Sequence, residues 1–223
     1  MTAAAGSSDK ALPSNIAASL RSLIIRGTLA PGEHLGQAEL ATRFNVSKVP
    51  IREALKQLAT DGLLQHDHNR GYFVTRLSQE EAKQLYRLRR WIESELLASA
   101  RWPNQREIAQ LRRGFEEIDR LNRKGDRGGY LAALEALRLS IFELSEEKVL
   151  LREAARLWSL TDRYRAVMPN ETMPSPERNL IDALERRDRS ALLAAYHADR
   201  DQIESLLFSI LQDSVDHPLV ETG

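Results

Sequence analysis

The sequence predicts a mainly α protein in two parts: a small N-terminal unit of short helices closing on a β-hairpin, then an all-α helical bundle. Three observations predict it. The texture changes near Ser78: before it, helical patterns are short and broken by GTLAPGEHL and HDHNRGYFV, and after it nearly every stretch has the period of a long amphipathic helix. The charge changes too: residues 10–76 carry nine basic and five acidic side chains, whereas residues 77–223 carry 23 basic and 26 acidic ones. Finally, Pro103, KGDRGG and MPNETMPSP punctuate the second part into about six helices, with no convincing strand. The expected boundaries are a flexible tail at 1–10, a first domain at 11–76, a helical domain at 77–216 and a tail at 217–223.

Composition narrows the function classes. The 223 residues are 42% hydrophobic and 29% charged, with zero formal net charge, so any attraction to a polyanion must be local. Cysteine is absent, which removes disulfides, thiolate metal sites and a cysteine nucleophile together. No apolar run approaches the ~20 residues that span a bilayer, and MTAAAGSSDK lacks an apolar signal core, so a cytoplasmic protein with no membrane partner is expected.

The elements of the first part follow in order. Leu40, Ala41 and Phe44 form the apolar face of a short helix, and NVS turns the chain. Ile51, Ala54, Leu55 and Leu58 then recur at the spacing of a second buried helix face. Ser47 suits the N-cap, where its side-chain oxygen would accept a backbone N–H. Pro50 falls in the first turn, where its missing N–H costs no intrahelical bond. Lys48, Arg52 and Lys56 lie away from the apolar face. Helix, tight turn and helix are followed by GLLQHDHNRGYFVTRL, which reads as strand, polar turn at Arg70-Gly71, and strand.

This is a geometry for nucleic acid. A helix start carrying basic side chains can enter a major groove, where arginine and lysine match guanine acceptors, and a basic hairpin tip can reach a groove or the backbone. Any exposed helix face also tends to be charged, so the stripe alone leaves an ordinary solvated helix open.

In the second part Ser78 and Glu81 form a capping box ahead of LSQEEAKQLYRLRRWIESELLASA, whose apolar positions are Leu85, Leu88, Ile92, Leu96 and Leu97.

The segment IIRGTLAPGEHLGQAELATRFNVSKVPIREALKQLATDGLL, continued by RGYFV, closely resembles the N-terminal winged helix-turn-helix of the GntR family of bacterial regulators, from about Leu12 to Arg76. The resemblance implies a dimer on a pseudo-palindromic operator of double-stranded DNA. It assigns recognition-helix contacts to Ser47, Lys48, Val49, Pro50 and Arg52, and wing contacts to Arg70 and Gly71. Ala38 stands where some members carry a basic residue, so one contact from the preceding helix is expected to be missing. LYRLRRWIESELLASA, SIFELSEEKVLLREAARLW and LIDALERRDRSALLAAYHADRDQI are similar to the all-helical effector domain of the FadR-like subgroup, called FCD, over about residues 78–214.

Many such domains hold a divalent metal that anchors a carboxylate effector. Alignment by helix landmarks puts the ligand positions at Leu134, Arg138, Glu177 and Asp199. None is histidine, and leucine cannot ligate, so the metal is expected to be lost and no cofactor retained. The arginine would stand where the cation would be, bound by Glu177 and Asp199. A slip of two residues would instead make His197 a ligand. The resemblance brings Arg89 toward the cavity, where it could grip an organic acid; an ion pair to Glu93 one turn on is the alternative. Trp158 and Tyr164 would supply an aromatic wall or simply core.

The expectation is therefore an effector-responsive transcription regulator, a dimeric repressor released or rearranged by an organic-acid effector. An interaction module whose winged domain binds protein is the alternative. No phosphate loop or nucleophile–base pair supports an enzyme: Glu80-Glu81 and Glu116-Glu117 are helix neighbours that point apart.

Overall fold

The computed structural model describes residues 12–168 and 177–216. The two expected tails, and most of the MPNETMPSP break, lie outside the described residues. The chain divides into two compact units. The first runs to Ser78 and also takes in Ser159–Val167; the second comprises Gln79–Trp158 and the chain from Met168 onward.

The first unit contains α1 (Leu12–Ile25), β1 (His34–Leu35), α2 (Gln37–Phe44), α3 (Lys48–Thr60), β2 (Leu64–Asp67) and β3 (Gly71–Val74). Leu20 and Ile24 of α1 meet Ile51, Leu55 and Leu58 of α3 and Leu63 in one core, each at most 1% exposed. The turn between α2 and α3 works because Asn45 adopts the left-handed conformation at φ 53°, where asparagine costs little, and the Val46 N–H returns to the Ala41 carbonyl. Pro50 sits in the first turn of α3 as expected. Ser47 occupies the N-cap with extended backbone, but its hydroxyl makes no capping hydrogen bond, so that part of the expectation is corrected. The hydroxyl is left available on an exposed residue.

The hairpin pairs β2 and β3 antiparallel, with Gln65 opposite Phe73 and Asp67 opposite Gly71. The Asp67 carboxylate accepts the N–H groups of Asn69 (2.9 Å) and Arg70 (3.1 Å) and so shapes the tip. Gly71 has φ +93°, and a Cβ there would come within 3.2 Å of His34. A third strand, β1, pairs with β3 through His34–Phe73 and Leu35–Tyr72, giving the order β1-β3-β2. Two residues are too short to show a period of two, so sequence reading passes over this strand.

The second unit is helical among the described residues: α4 (Gln79–Ser99), α5 (Gln105–Arg123), α6 (Arg127–Phe142), α7 (Lys148–Thr161), whose last turn belongs to the first unit, α8 (Glu177–Arg186) and α9 (Arg189–Asp216). A 3-10 segment, Asp162–Val167, follows α7 and also lies in the first unit. Asn104 and Glu107 form a capping box at the start of α5, exchanging side-chain and backbone bonds at 3.0 and 2.8 Å. Leu96, Leu97, Ile118, Ile141 and Ile181 anchor the bundle core. On α4 the inward face differs from the apolar spacing of the sequence. Ala82, Tyr86, Arg89, Glu93, Leu96 and Leu97 are buried, while Leu88 is exposed. Two charged residues hold core positions there, so hydrophobicity alone misplaces the face.

No helix among the described residues is long and apolar enough to cross a membrane.

Candidate nucleic-acid interface and buried polar cluster

The exposed face of α3 is built by the same period that buries its opposite side. Ser47, Lys48, Val49 and Arg52 are exposed, Pro50 is half-buried, and Ile51, Ala54, Leu55 and Leu58 are fully buried. Val49 is 59% exposed, unusual for an aliphatic residue with a core beside it. The stripe contains an acid: Glu53 lies 3.5 Å from Arg52 and 3.3 Å from Lys56, all three about half exposed or more. At the wing tip Arg70 is exposed and stacks over the Phe73 ring at 5.2 Å.

The turn that ends α3 is held from far along the chain. Gly62 takes φ +75°, and its carbonyl accepts from Thr75 Oγ1 at 2.9 Å and from Arg163 Nη1 at 3.0 Å. Asp61 pairs with Arg21 of α1, which also lies 3.6 Å from Asp162. The Tyr164 hydroxyl donates to the Ser78 carbonyl at 3.1 Å, and its ring is fully buried. Tyr164 thus belongs to the first unit and does not join Trp158.

In the second unit the other expected effector residues converge. Arg138 of α6 donates from Nε (3.1 Å) and Nη2 (2.9 Å) to Glu177 Oε1 at the start of α8. Its Nη2 is 3.6 Å from Asp199 Oδ2 on α9. Asp199 also accepts from Arg200 Nε at 3.2 Å. Beside them Glu93, 1% exposed, accepts from Arg89 Nε (2.9 Å), Trp158 Nε1 (2.6 Å) and Tyr196 Oη (2.8 Å). Burial alone would raise the Glu93 pKa, but the Arg89 and Arg200 guanidinium groups outweigh it and, with the two aromatic donors, hold it at about 2. Burial and the neighbouring Glu93 carboxylate push the Tyr196 hydroxyl well up, keeping it a neutral donor.

Arg89 makes the ion pair to Glu93 that the helix spacing allowed. Glu93 itself, Tyr196 and Arg200 were not singled out by the sequence as site residues. The only signal was the spacing of Glu93 from Arg89 and of Tyr196 and Arg200 within YHADRD.

The four positions of the family's metal do not fit a divalent cation. Leu134 lies in the hydrophobic core and offers no lone pair. The Arg138 guanidinium consumes the carboxylates of Glu177 and Asp199 that would otherwise ligate. His197 stacks edge-on against Tyr196 at 5.3 Å, and among the described residues no three histidine, aspartate or glutamate side chains gather as a metal site.

Comparison with known proteins agrees with both halves. The family described as "Bacterial regulatory proteins, gntR family" matches residues 12–74, and the FCD domain matches residues 84–201. The HTH-type transcriptional regulator YdhC of Bacillus subtilis is 25% identical over 205 residues, covering 84% of this chain and 89% of its own. The HTH-type transcriptional repressor GlaR of Escherichia coli is 30% identical over 165 residues, covering 71% and 74%. Among solved structures, Escherichia coli McbR/YncC superposes with a TM-score of 0.75 at 20% identity, over 89% of this chain and 97% of its own, which speaks to the fold.

Proposed function

This chain belongs to the GntR family of bacterial transcription regulators and carries an FCD domain, and from that premise we propose that it is a repressor that binds a pseudo-palindromic operator as a homodimer. Ser47, Lys48, Val49, Pro50 and Arg52 face the major groove, and Arg70 and Gly71 address the adjoining backbone or groove. The carrying observation is the exposed, basic start of α3, with its apolar positions wholly buried. Half-sites about one helical turn apart, roughly 34 Å, fit two such heads.

The effector reading rests on the buried cluster. Arg89, Arg138 and Arg200 face Glu93, Glu177 and Asp199, so the cluster is balanced before any ligand arrives. An organic-acid effector would exchange a protein carboxylate for its own on Arg138, with Trp158 against its apolar part and no metal between. Trp158 reaches Glu93, and one residue later α7 passes into the unit that holds Arg163 and Gly62. That covalent route is how ligand exchange would bias the head between operator-fitting and non-fitting states.

The test is fluorescence anisotropy with DNA from upstream of the chain's own gene, at two salt concentrations, beside Arg52→Ala. Tight, sequence-selective, salt-sensitive binding lost in Arg52→Ala supports the reading. Equal weak binding to random DNA of the same length, unchanged in Arg52→Ala, overturns it.

A further inference from the structure

Among the described residues four large apolar side chains are exposed, and Val49 is the only one of them in the first unit. With ~100° per residue it points about 120–180° away from Ile51, Ala54, Leu55 and Leu58, the buried residues of α3. It therefore has no route into the core. Arg52 and Lys56 follow it along the same stripe of the helix, and Lys48 precedes it. α3 has no acid in its first turn, so the positive end of the helix dipole is not offset there by its own side chains. Val49 is a lone aliphatic group set in a cationic surface.

That setting selects among the groups that would cover it. A protein surface needs a contiguous apolar patch, and this stripe offers one aliphatic side chain among cations. A polyanion suits the cations, and double-stranded DNA presents one apolar group in its major groove, the C5 methyl of thymine. Val49 is also held stiffly. A β-branched side chain in a helix keeps essentially one χ1 rotamer, and Pro50 narrows the backbone of the residue before it. The two γ-methyl groups are thus presented at little entropic cost, in contrast with the long side chains of Lys48 and Arg52.

We propose that Val49 reads thymine: its γ-methyl groups pack on the C5 methyl of one thymine in each half-site. This position then selects a base by apolar contact, while Lys48 and Arg52 supply charge and hydrogen bonds. The choice of base rests on the operator reading of α3. Uracil has the same hydrogen-bonding edge as thymine and lacks only the methyl, so it isolates the contact. Burial of one such methyl corresponds to about a fourfold change in affinity per half-site.

The experiment uses the full chain. Duplexes enriched from a random pool by the wild type give the operator, which is then synthesised with uracil replacing thymine at one position and its symmetry mate at a time. Anisotropy titrations follow for the wild type and Val49→Ala, with circular dichroism to confirm folding. One thymine per half-site should stand out. Uracil there weakens the wild type by about fourfold in each half-site, on the order of tenfold or more for the symmetric pair, and Val49→Ala binds the thymine and uracil forms alike. A wild type indifferent to uracil at every position overturns the thymine contact. A Val49→Ala variant that keeps the full loss overturns it too, because the methyl then acts through another side chain or through DNA shape. Both outcomes leave the enriched operator standing and remove this contact alone. A pool that yields no preferred sequence overturns the contact together with the operator reading.

Discussion

Arg163 donates from Nη1 to the carbonyl of Gly62 at 3.0 Å, joining two residues separated by 101 positions in the chain. Gly62 closes the turn after the proposed recognition helix, and Arg163 belongs to the 3-10 segment that follows α7. The DNA-binding unit is therefore built from two pieces of chain, and the second piece arrives directly from the helix that carries Trp158.

Gly62→Ala should destabilise that unit. At φ +75° a Cβ is strained and would lie 2.6 Å from Leu160 Cδ2, for a cost of about 1–3 kcal/mol. Thermal unfolding should show a melting point lower by several degrees; an unchanged one contradicts the packing described. Arg163→Ala removes a charged donor 4% exposed, yet Thr75 still serves the carbonyl, so its cost should be about 1–2 kcal/mol.

Glu53→Ala should strengthen DNA binding. The carboxylate draws on both Arg52 and Lys56 and would itself repel phosphate. Anisotropy titrations should show affinity rising by a few fold, on specific and random DNA alike, with the melting point almost unchanged because the pairs are exposed.

Arg70→Ala and Arg52→Ala should fail differently. The wing residue is exposed at a hairpin tip, and on the proposal that it meets phosphate, its loss should weaken all sequences alike and reduce the slope of log affinity against log salt by about 1. Loss of Arg52 should also erode preference for the operator over random DNA. Competition titrations at three salt concentrations distinguish the two.

Glu93→Gln should change the acid limb of the stability profile. The folded pKa lies near 2, below the ordinary 4.5, so the folded state favours the ionised form. The sign follows: this stabilisation is fully present above about pH 4.5 and is lost as pH falls toward 2, on the order of 3 kcal/mol across the window. Urea melts from pH 6 to 2.5 should show that slope in the wild type and its loss in Glu93→Gln. The variant should be weaker at neutral pH by about 3–5 kcal/mol, since it breaks the buried Arg89–Glu93 ion pair.

Arg138 stands where a cation would need ligands, so changing the donors should change the metal behaviour. The double variant Leu134→Asp, Arg138→His, keeping Glu177 and Asp199, supplies four donors and should bind zinc in calorimetry at near one equivalent. The wild type, titrated alongside, should give no saturable heat.

The apolar period alone was enough for the sequence to determine α2 and α3, and the long helices of the second part. Buried Ile51, Ala54, Leu55 and Leu58 recur locally, and their partners follow from any amphipathic helix. Asn45, Pro50 and Gly71 likewise report backbone conformations that act within one turn. Only the tertiary structure decided that β1 joins the sheet, that Tyr164 leaves the aromatic wall for Ser78, and that α4 turns Arg89 and Glu93 inward and Leu88 out. Each of these depends on partners tens of residues away. Whether a charged side chain is buried depends on whether those partners return its hydrogen bonds, and hydrophobic periodicity does not encode that.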